Sequence, residues 1–416
     1  MLDPFALIAR LEPLFWIAFV LAVSGGLALP LGTGFGERVF WLGGDLLALG
    51  IVALSPMLYA TLIWRNLHLF SWPLLAMLSA LWSLTPGLSA YHGAQLLMTM
   101  LVGLVLRRRF GLIGLAKLVF VALAVAMALS FLSVAAGLPG TRNYAGEWKG
   151  VFSHKNTLGS AMVVLAYTAG ALSWAGWRPW ISGGVAVLAV VALAASGSGA
   201  ATVAFVAVLA VAPLLVGIRL GAHPTLLVAT CGLSLAALAG IAFVVAGTDP
   251  YTVALDALGK DRTLTGRTLL WQFGLASFAE NPILGIGYKA YWDSPATTSA
   301  YLIYWFGQAI WTFHNNAIEV AVAFGSVGLA LFAIGLAVSA VIAVARFLTS
   351  RRAEDAWALM AMTHILVVAL AETPLFYNHS LYQMLFVALG AHLAGSRVAA
   401  PSAGRVSSRP ARGLAP

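Results

Sequence analysis

Charge is what this sequence has least of. Only 9% of its 416 residues are Asp, Glu, Lys or Arg, whereas 61% are hydrophobic, and the mean hydropathy is +0.93. A soluble domain carries about 25% charged and about 45–50% apolar residues, so this chain has too little polar surface to face water on all sides. Cysteine is nearly absent: Cys231 stands alone in an apolar run, which excludes a disulfide scaffold and thiol chemistry. Metal signatures are missing too. There is no HExxH and no Cys/His cluster, and Asp249, Asp256 and Asp261 are dispersed, so neither a zinc nor a divalent-cation site is expected. A P-loop is lacking, and Gly285-Ile286-Gly287 has no strand-turn-helix context and reads as a turn. No cofactor is expected.

What is present is long apolar segments. A membrane-spanning helix needs about 20 apolar residues in succession, and the short alternating segments of a barrel are not seen. The expected fold is an all-α polytopic membrane protein with about twelve spans, centred near Ala18, Ala48, Met77, Val102, Ala124, Val164, Leu188, Ala207, Leu235, Leu329, Leu366 and Phe386. One transmembrane domain covers 1–395, and a basic cytoplasmic tail, 396–416, reads as disordered. With both termini inside, the net charge of +9 resolves into inner-loop cations such as Arg65, Arg107, Arg108, Arg109, Arg351 and Arg352, the positive-inside pattern. The bilayer, not nucleic acid, is the partner these charges fit. The first span lacks a small-residue cleavage site and reads as an uncleaved anchor.

The remaining cations collect on the other side. Arg142, Lys149 and Lys155 fall in one loop, Gly137 to His154 and just beyond, and Lys260, Arg262, Arg267 and Lys289 in a second between the ninth and tenth spans, Gly247 to Phe313. The second is far longer than the two to eight residues that usually join bundle helices and too aromatic for disorder, so it is expected to fold as a cap. Within it, Leu269, Leu270, Phe273 and Ala276 make an amphipathic helix stopped by Asn281-Pro282, with Arg267 in its first turn. The helix dipole disfavours a cation there, and a bound anion, or a solvated or lipid-facing side chain, would relieve the conflict. His314, at the mouth of the tenth span ahead of Asn315, Asn316 and Glu319, is either a functional imidazole or an N-capping or packed one. GVFSHKNTLG, Gly150 to Gly159, places His154, Lys155 and Asn156 at a helix start suited to phosphate, with snorkelling of Lys155 the bland alternative. Glu372 ends the eleventh span, where a carboxylate is costly unless functional or paired. Ser196-Gly197-Ser198-Gly199 reads as a small-residue helix contact. The span centres are nearly free of charge, Asp45 being the main exception, which argues against a lipid-linked glycan transporter or flippase, the principal alternative.

The order GVFSHKNTLG, Thr265-Gly266-Arg267, Trp271, ENPILGIGY, His314-Asn315 and Phe324-Gly325 against these spans resembles the O-antigen ligase and polysaccharide polymerase superfamily. That resemblance implies a metal-independent, inverting glycosyltransferase of the bacterial inner membrane, working at the periplasmic face on an undecaprenyl-pyrophosphate-linked glycan donor, with a glycan or the lipid A-core as acceptor. It implies Arg267 and His314 as the catalytic pair. The second arginine usual in the ligases is missing from ALAASGSGAATVAF, while HKN and Leu81-Trp82-Ser83 before Pro86 look more like exopolysaccharide polymerases. Polymerase is therefore favoured over ligase, with Lys155 and Arg142 as supplementary cations, Asn156, His154, Asn315, Trp271 and Glu372 as further substrate-binding residues, and Tyr288, Trp292 and Trp305 as sugar or polyprenyl contacts.

Overall fold

The computed structural model describes residues 4–31, 35–225, 227–229, 231–232, 266–307 and 310–393. The expected ninth span near Leu235, the loop cations Lys260 and Arg262, and the tail 396–416 lie outside the described residues. Among the described residues the chain is helical: α1 (Pro4–Val23), α2 (Ala28–Leu31), α3 (Phe35–Ala53), α4 (Pro56–Arg65), α5 (Leu67–Leu78), α6 (Pro86–Ala135), α7 (Lys155–Trp174), α8 (Pro179–Ser196), α9 (Gly199–Leu220), α10 (Arg267–Glu280), α11 (Ala290–Asp293), α12 (Ser299–Phe306), α13 (Asn316–Ser350), α14 (Ala353–Ala371) and α15 (Leu381–Gly390).

Six of these helices are long and apolar enough to cross a membrane, or seven if the bent pair Arg38–Ala53 and Pro56–Arg65 counts as one span. That is fewer than the twelve expected, although eleven of the expected centres fall inside described helices. Part of the difference lies in α6. Its 50 residues would reach about 75 Å at 1.5 Å per residue, more than twice a hydrocarbon core of about 30 Å. The helix breaks at Gly111, where φ is 65° and ψ −176°, just after Arg107, Arg108 and Arg109, so two apolar segments share one helix name. The rest is length and coverage, since α1, α5 and α15 count as short apolar helices and the span near Leu235 lies outside the described residues.

The main core runs along the bundle and is built around Trp16, Trp72, Trp357, Phe19 and Phe386, all nearly or wholly inaccessible. Leu42, Leu46, Val187, Val206 and Val341 are exposed along the helices, as a lipid-facing surface requires. A second, smaller core belongs to residues 270–322 and contains Leu270, Ile286, Tyr291, Trp292, Leu302, Phe313 and Val322.

One packing arrangement joins this second core to the bundle. Helix α13 is interrupted at Gly325, where φ is 64° and ψ −159°, and the non-helical stretch 282–287 fills the break. The N–H groups of Ser326 and Val327 donate to the carbonyls of Pro282 and Ile283 at 2.8 and 3.2 Å, and those of Ile286 and Gly287 donate to Val322 and Ala323 at 3.0 and 2.9 Å. A broken helix is tolerated at membrane depth when protein re-satisfies its freed backbone groups. The other edge of the same stretch is held by Trp82, whose Nε1 donates to Leu284 O at 2.9 Å, and by Leu84 N donating to Ile286 O at 3.1 Å. The segments LWS, ENPILGIGY and Phe324-Gly325 are thus one packed unit. A Cβ at Gly325 would stand 2.2 Å from the carbonyl carbon of Ile283, in a left-handed conformation that costs a side chain about 1–3 kcal/mol. Gly325→Ala is therefore expected to lower thermal stability by at least that amount, measured as the melting shift of the purified protein. An unchanged melting temperature would contradict this packing.

Candidate functional site

Arg267, His314 and Asn156 come from three distant parts of the chain and meet at Glu372. Each is delivered by a helix end. Arg267 opens α10 after Gly266, which is left-handed at φ 84°. His314 precedes Asn315, whose Oδ1 caps α13 by accepting from Ala317 N and Ile318 N at 3.0 and 3.2 Å. Asn156 lies in the first turn of α7, which His154 caps through Nδ1 accepting from Asn156 N at 3.1 Å. Glu372 follows the last residue of α14.

The Glu372 carboxylate is shared. Its Oε1 accepts from Arg267 Nη2 at 2.7 Å and from Asn156 Nδ2 at 3.2 Å, while Oε2 lies 2.7 Å from His314 Nδ1. Arg267 Nη1 also donates to the Ala371 carbonyl, at the negative end of α14 where a cation is favoured. The conflict of a cation in the first turn of α10 is thus met within the chain, by a carboxylate and a helix C-terminus. These bonds occupy two of the five guanidinium donors, and the side chain keeps 19% exposure, so donors remain for an anion. Burial by itself would raise the Glu372 pKa, but the hydrogen bond and charge of His314 and the charge and hydrogen bond of Arg267 outweigh it and hold the carboxyl below its ordinary value. A carboxylate at Nδ1 favours the Nδ1–H tautomer and leaves Nε2 as the acceptor. His314 also has a left-handed backbone, φ 51°, the kind of strain that collects at functional sites.

Asn156, His314 and Glu372 border a cavity of about 460 Å³ whose wall also includes His154, Tyr377 and His379, and Arg267 joins it through its pair with Glu372. Burial lowers the His154 pKa; Glu372 opposes the shift, whereas Lys155, His314 and Lys149 add to it. The imidazole is therefore held neutral at pH 7, consistent with its capping bond through an unprotonated Nδ1.

The supplementary cations are placed elsewhere. Lys155 Nζ is paired with Glu147 at 2.6 and 2.7 Å and donates to Gly197 O at 3.3 Å, so its charge is met by a neighbouring carboxylate. Arg142 donates to Gly146 O at 3.1 Å and lies over the Trp148 ring. Neither touches the Glu372 cluster. Trp271 donates through Nε1 to Phe313 O at 2.9 Å, bracing the residue before His314, and Asn315 Nδ2 donates to Leu370 O at 3.3 Å, tying the two helix ends together. Tyr288 and Trp292, read from sequence as sugar contacts, are interior: Tyr288 is wholly buried, its hydroxyl donating to Phe376 O, and Trp292 packs on Phe313 at 4.8 Å. Trp305 is exposed.

Two residues escaped the sequence reading. Glu319, in the first turn of α13, accepts from Phe313 N at 2.7 Å and from Trp292 Nε1 at 3.4 Å, fixing the chain just before His314. Ser198 donates to Asn156 Oδ1 at 3.0 Å, so the Ser196-Gly197-Ser198-Gly199 segment, a turn between α8 and α9, orients Asn156 as well as making the expected small-residue contact, with Ser196 and Ser198 against Gly159 of α7. A cap-forming serine after a left-handed glycine was the signal available for it.

A family model described as O-antigen ligase matches residues 184–333, from within α8 to beyond His314. The chain is 28% identical over 325 residues to the exopolysaccharide production protein ExoQ of Rhizobium meliloti (strain 1021), a match covering 74% of this chain and 72% of that protein. With its multiple apolar helices, this chain is a multi-pass membrane protein that is similar to glycan-ligating and polymerising membrane enzymes.

Proposed function

We propose that this protein moves a glycan from an undecaprenyl-pyrophosphate-linked donor to an acceptor sugar hydroxyl at the periplasmic face of a bacterial inner membrane, polymerising exopolysaccharide or O-antigen repeats. The observation that carries this reading is the sharing of Glu372 by a cation and an imidazole beside one cavity. Breaking the bond between the anomeric carbon and the diphosphate leaves charge on the departing oxygen, and Arg267 meets it; one such preorganised contact is worth about 10²–10³ in rate. His314 Nε2, its tautomer set by Glu372, takes the proton of the acceptor hydroxyl as the new glycosidic bond forms. Asn156 and Ser198 hold Glu372 in place, and His154, kept neutral by burial, accepts or donates a hydrogen bond to the incoming sugar without adding charge.

The exopolysaccharide relative favours polymerisation, and the family description favours ligation to a lipid A-core as the second reading. Purified protein given only lipid-linked repeats is expected to lengthen them, and to do so in excess EDTA. Repeats that stay single in the presence of folded protein would overturn the polymerase reading, and transfer confined to an added lipid A-core acceptor would establish the ligase instead. Loss of activity to EDTA, restored by Mg²⁺, would show that Arg267 does not carry the leaving-group charge without a metal.

A further inference from the structure

Asp45 stands in the interior of α3 as a carboxylate within an apolar helix, where an ionisable group is expensive and by default functional. Its partner comes from 334 positions away: His379 Nε2 lies 3.2 Å from Asp45 Oδ2. The His379 ring stacks on Trp41 with centroids 4.7 Å and planes 9° apart. Like His314, His379 has a left-handed backbone, φ 54°, and stands in the wall of the same cavity. The Glu372 cluster makes no use of it.

Three atoms of this group, Trp41 Nε1, Asp45 Oδ1 and His379 Nδ1, are buried and have no hydrogen-bond partner. At least about nine in ten buried polar groups are satisfied, so each orphan calls for an explanation, and here three fall in one contact cluster. With Asp45 accepting from Nε2–H, His379 Nδ1 is an acceptor. The set therefore offers one donor, the indole N–H, and two acceptors. Hydroxyl groups, which both donate and accept, can meet each of them. A phosphate cannot, because the Asp45 carboxylate repels it and no cation is paired there among the described residues. The cavity wall thus differs along its length: His314 and Glu372, the latter paired with Arg267, stand in one part of it, and His379, in contact with Asp45 and Trp41, stands in another and suits a polyol.

We infer that Trp41, Asp45 and His379 form a sugar-hydroxyl site that holds non-reacting hydroxyls of the acceptor glycan while His314 receives the attacking one. The inference rests on the acceptor side of the proposed transfer. It is tested by measuring two ligands separately on the full chain in lipid nanodiscs: methyl β-glucoside and methyl β-galactoside by saturation-transfer NMR, and inorganic pyrophosphate by ³¹P titration. Wild-type protein is expected to bind at least one glycoside. His379→Gln and Asp45→Asn should weaken that binding at least tenfold and change pyrophosphate affinity less than twofold. Trp41→Phe, which keeps the ring and removes only the N–H, should weaken the glycoside severalfold with the melting temperature unchanged, and it decides the matter if the other two variants fail to fold. The site is overturned if neither glycoside binds wild-type protein, if folded variants bind it normally, or if they lose glycoside and pyrophosphate alike. Glycoside binding that depends on His379 in a protein that binds no pyrophosphate and transfers no glycan would sink the transfer reading and leave this site standing.

Discussion

Glu372→Gln is expected to lower glycan transfer by about 10³–10⁴-fold, the scale on which removing the carboxylate that orients a catalytic imidazole acts. The magnitude follows from what Glu372 holds. Its two oxygens bind Arg267 and His314, each at 2.7 Å, and a neutral amide can neither pair the guanidinium nor favour the Nδ1–H tautomer of His314. Single-turnover transfer by the folded variant measures the effect, and a rate near wild type would remove Glu372 from the mechanism. Asn156→Ala, which deletes only the 3.2 Å bond to the same carboxylate, should cost far less, about tenfold. A pH test accompanies this one. Because the Glu372 carboxyl is held below its ordinary value, its stabilising contribution is fully present above the unfolded value of about 4.3 and is lost as pH falls through the lower folded value. The melting difference between wild type and Glu372→Gln should thus close in acid, as pH falls below about 4.3.

Arg267→Ala should be nearly inactive, down about 10²–10³-fold or more, with weakened donor binding, whereas Arg267→Lys should keep part of the activity. A lysine retains the charge but has no planar fork, and it cannot at once reach the Ala371 carbonyl and Glu372 as the two guanidinium nitrogens do. His314→Ala separates the two roles: transfer should be abolished while pyrophosphate binding survives. Donor binding and turnover, measured separately on both variants, give the answer. Wild-type turnover by His314→Ala would remove the base assignment, and unchanged turnover by Arg267→Ala would send the leaving-group charge to another cation.

Local signals were legible wherever a helix end is set by its own neighbours. The stripe Leu269, Leu270, Phe273 and Ala276 with its Asn281-Pro282 stop predicts a helix that the structure places at Arg267–Glu280. The start of α7 at Lys155 was legible in the same way, whereas the capping role weighed for His314 falls to its neighbour Asn315. Broken elements were not legible. Gly285-Ile286-Gly287 reads as a turn, and nothing within it announces that 282–287 will complete a helix broken at Gly325 some forty residues later. Tyr288 and Trp292 suffered similarly, because an aromatic in a loop looks the same whether it faces a sugar or fills the interior of a cap.

By itself, the sequence determined that this chain lives in a membrane, that its helices are long and apolar, and that unexplained cations cluster in two loops, since transfer free energy and helix capping depend on residue type and near neighbours. Which partners each cation meets was decided only by tertiary structure. Lys155 and Arg267 looked alike as helix-start cations, yet Lys155 lies against Glu147, eight residues away, while Arg267 reaches Glu372, 105 residues away, and meets His314 there. Electrostatic energy falls with distance through space and with exposure to water, and neither quantity is written in the spacing of residues along a chain.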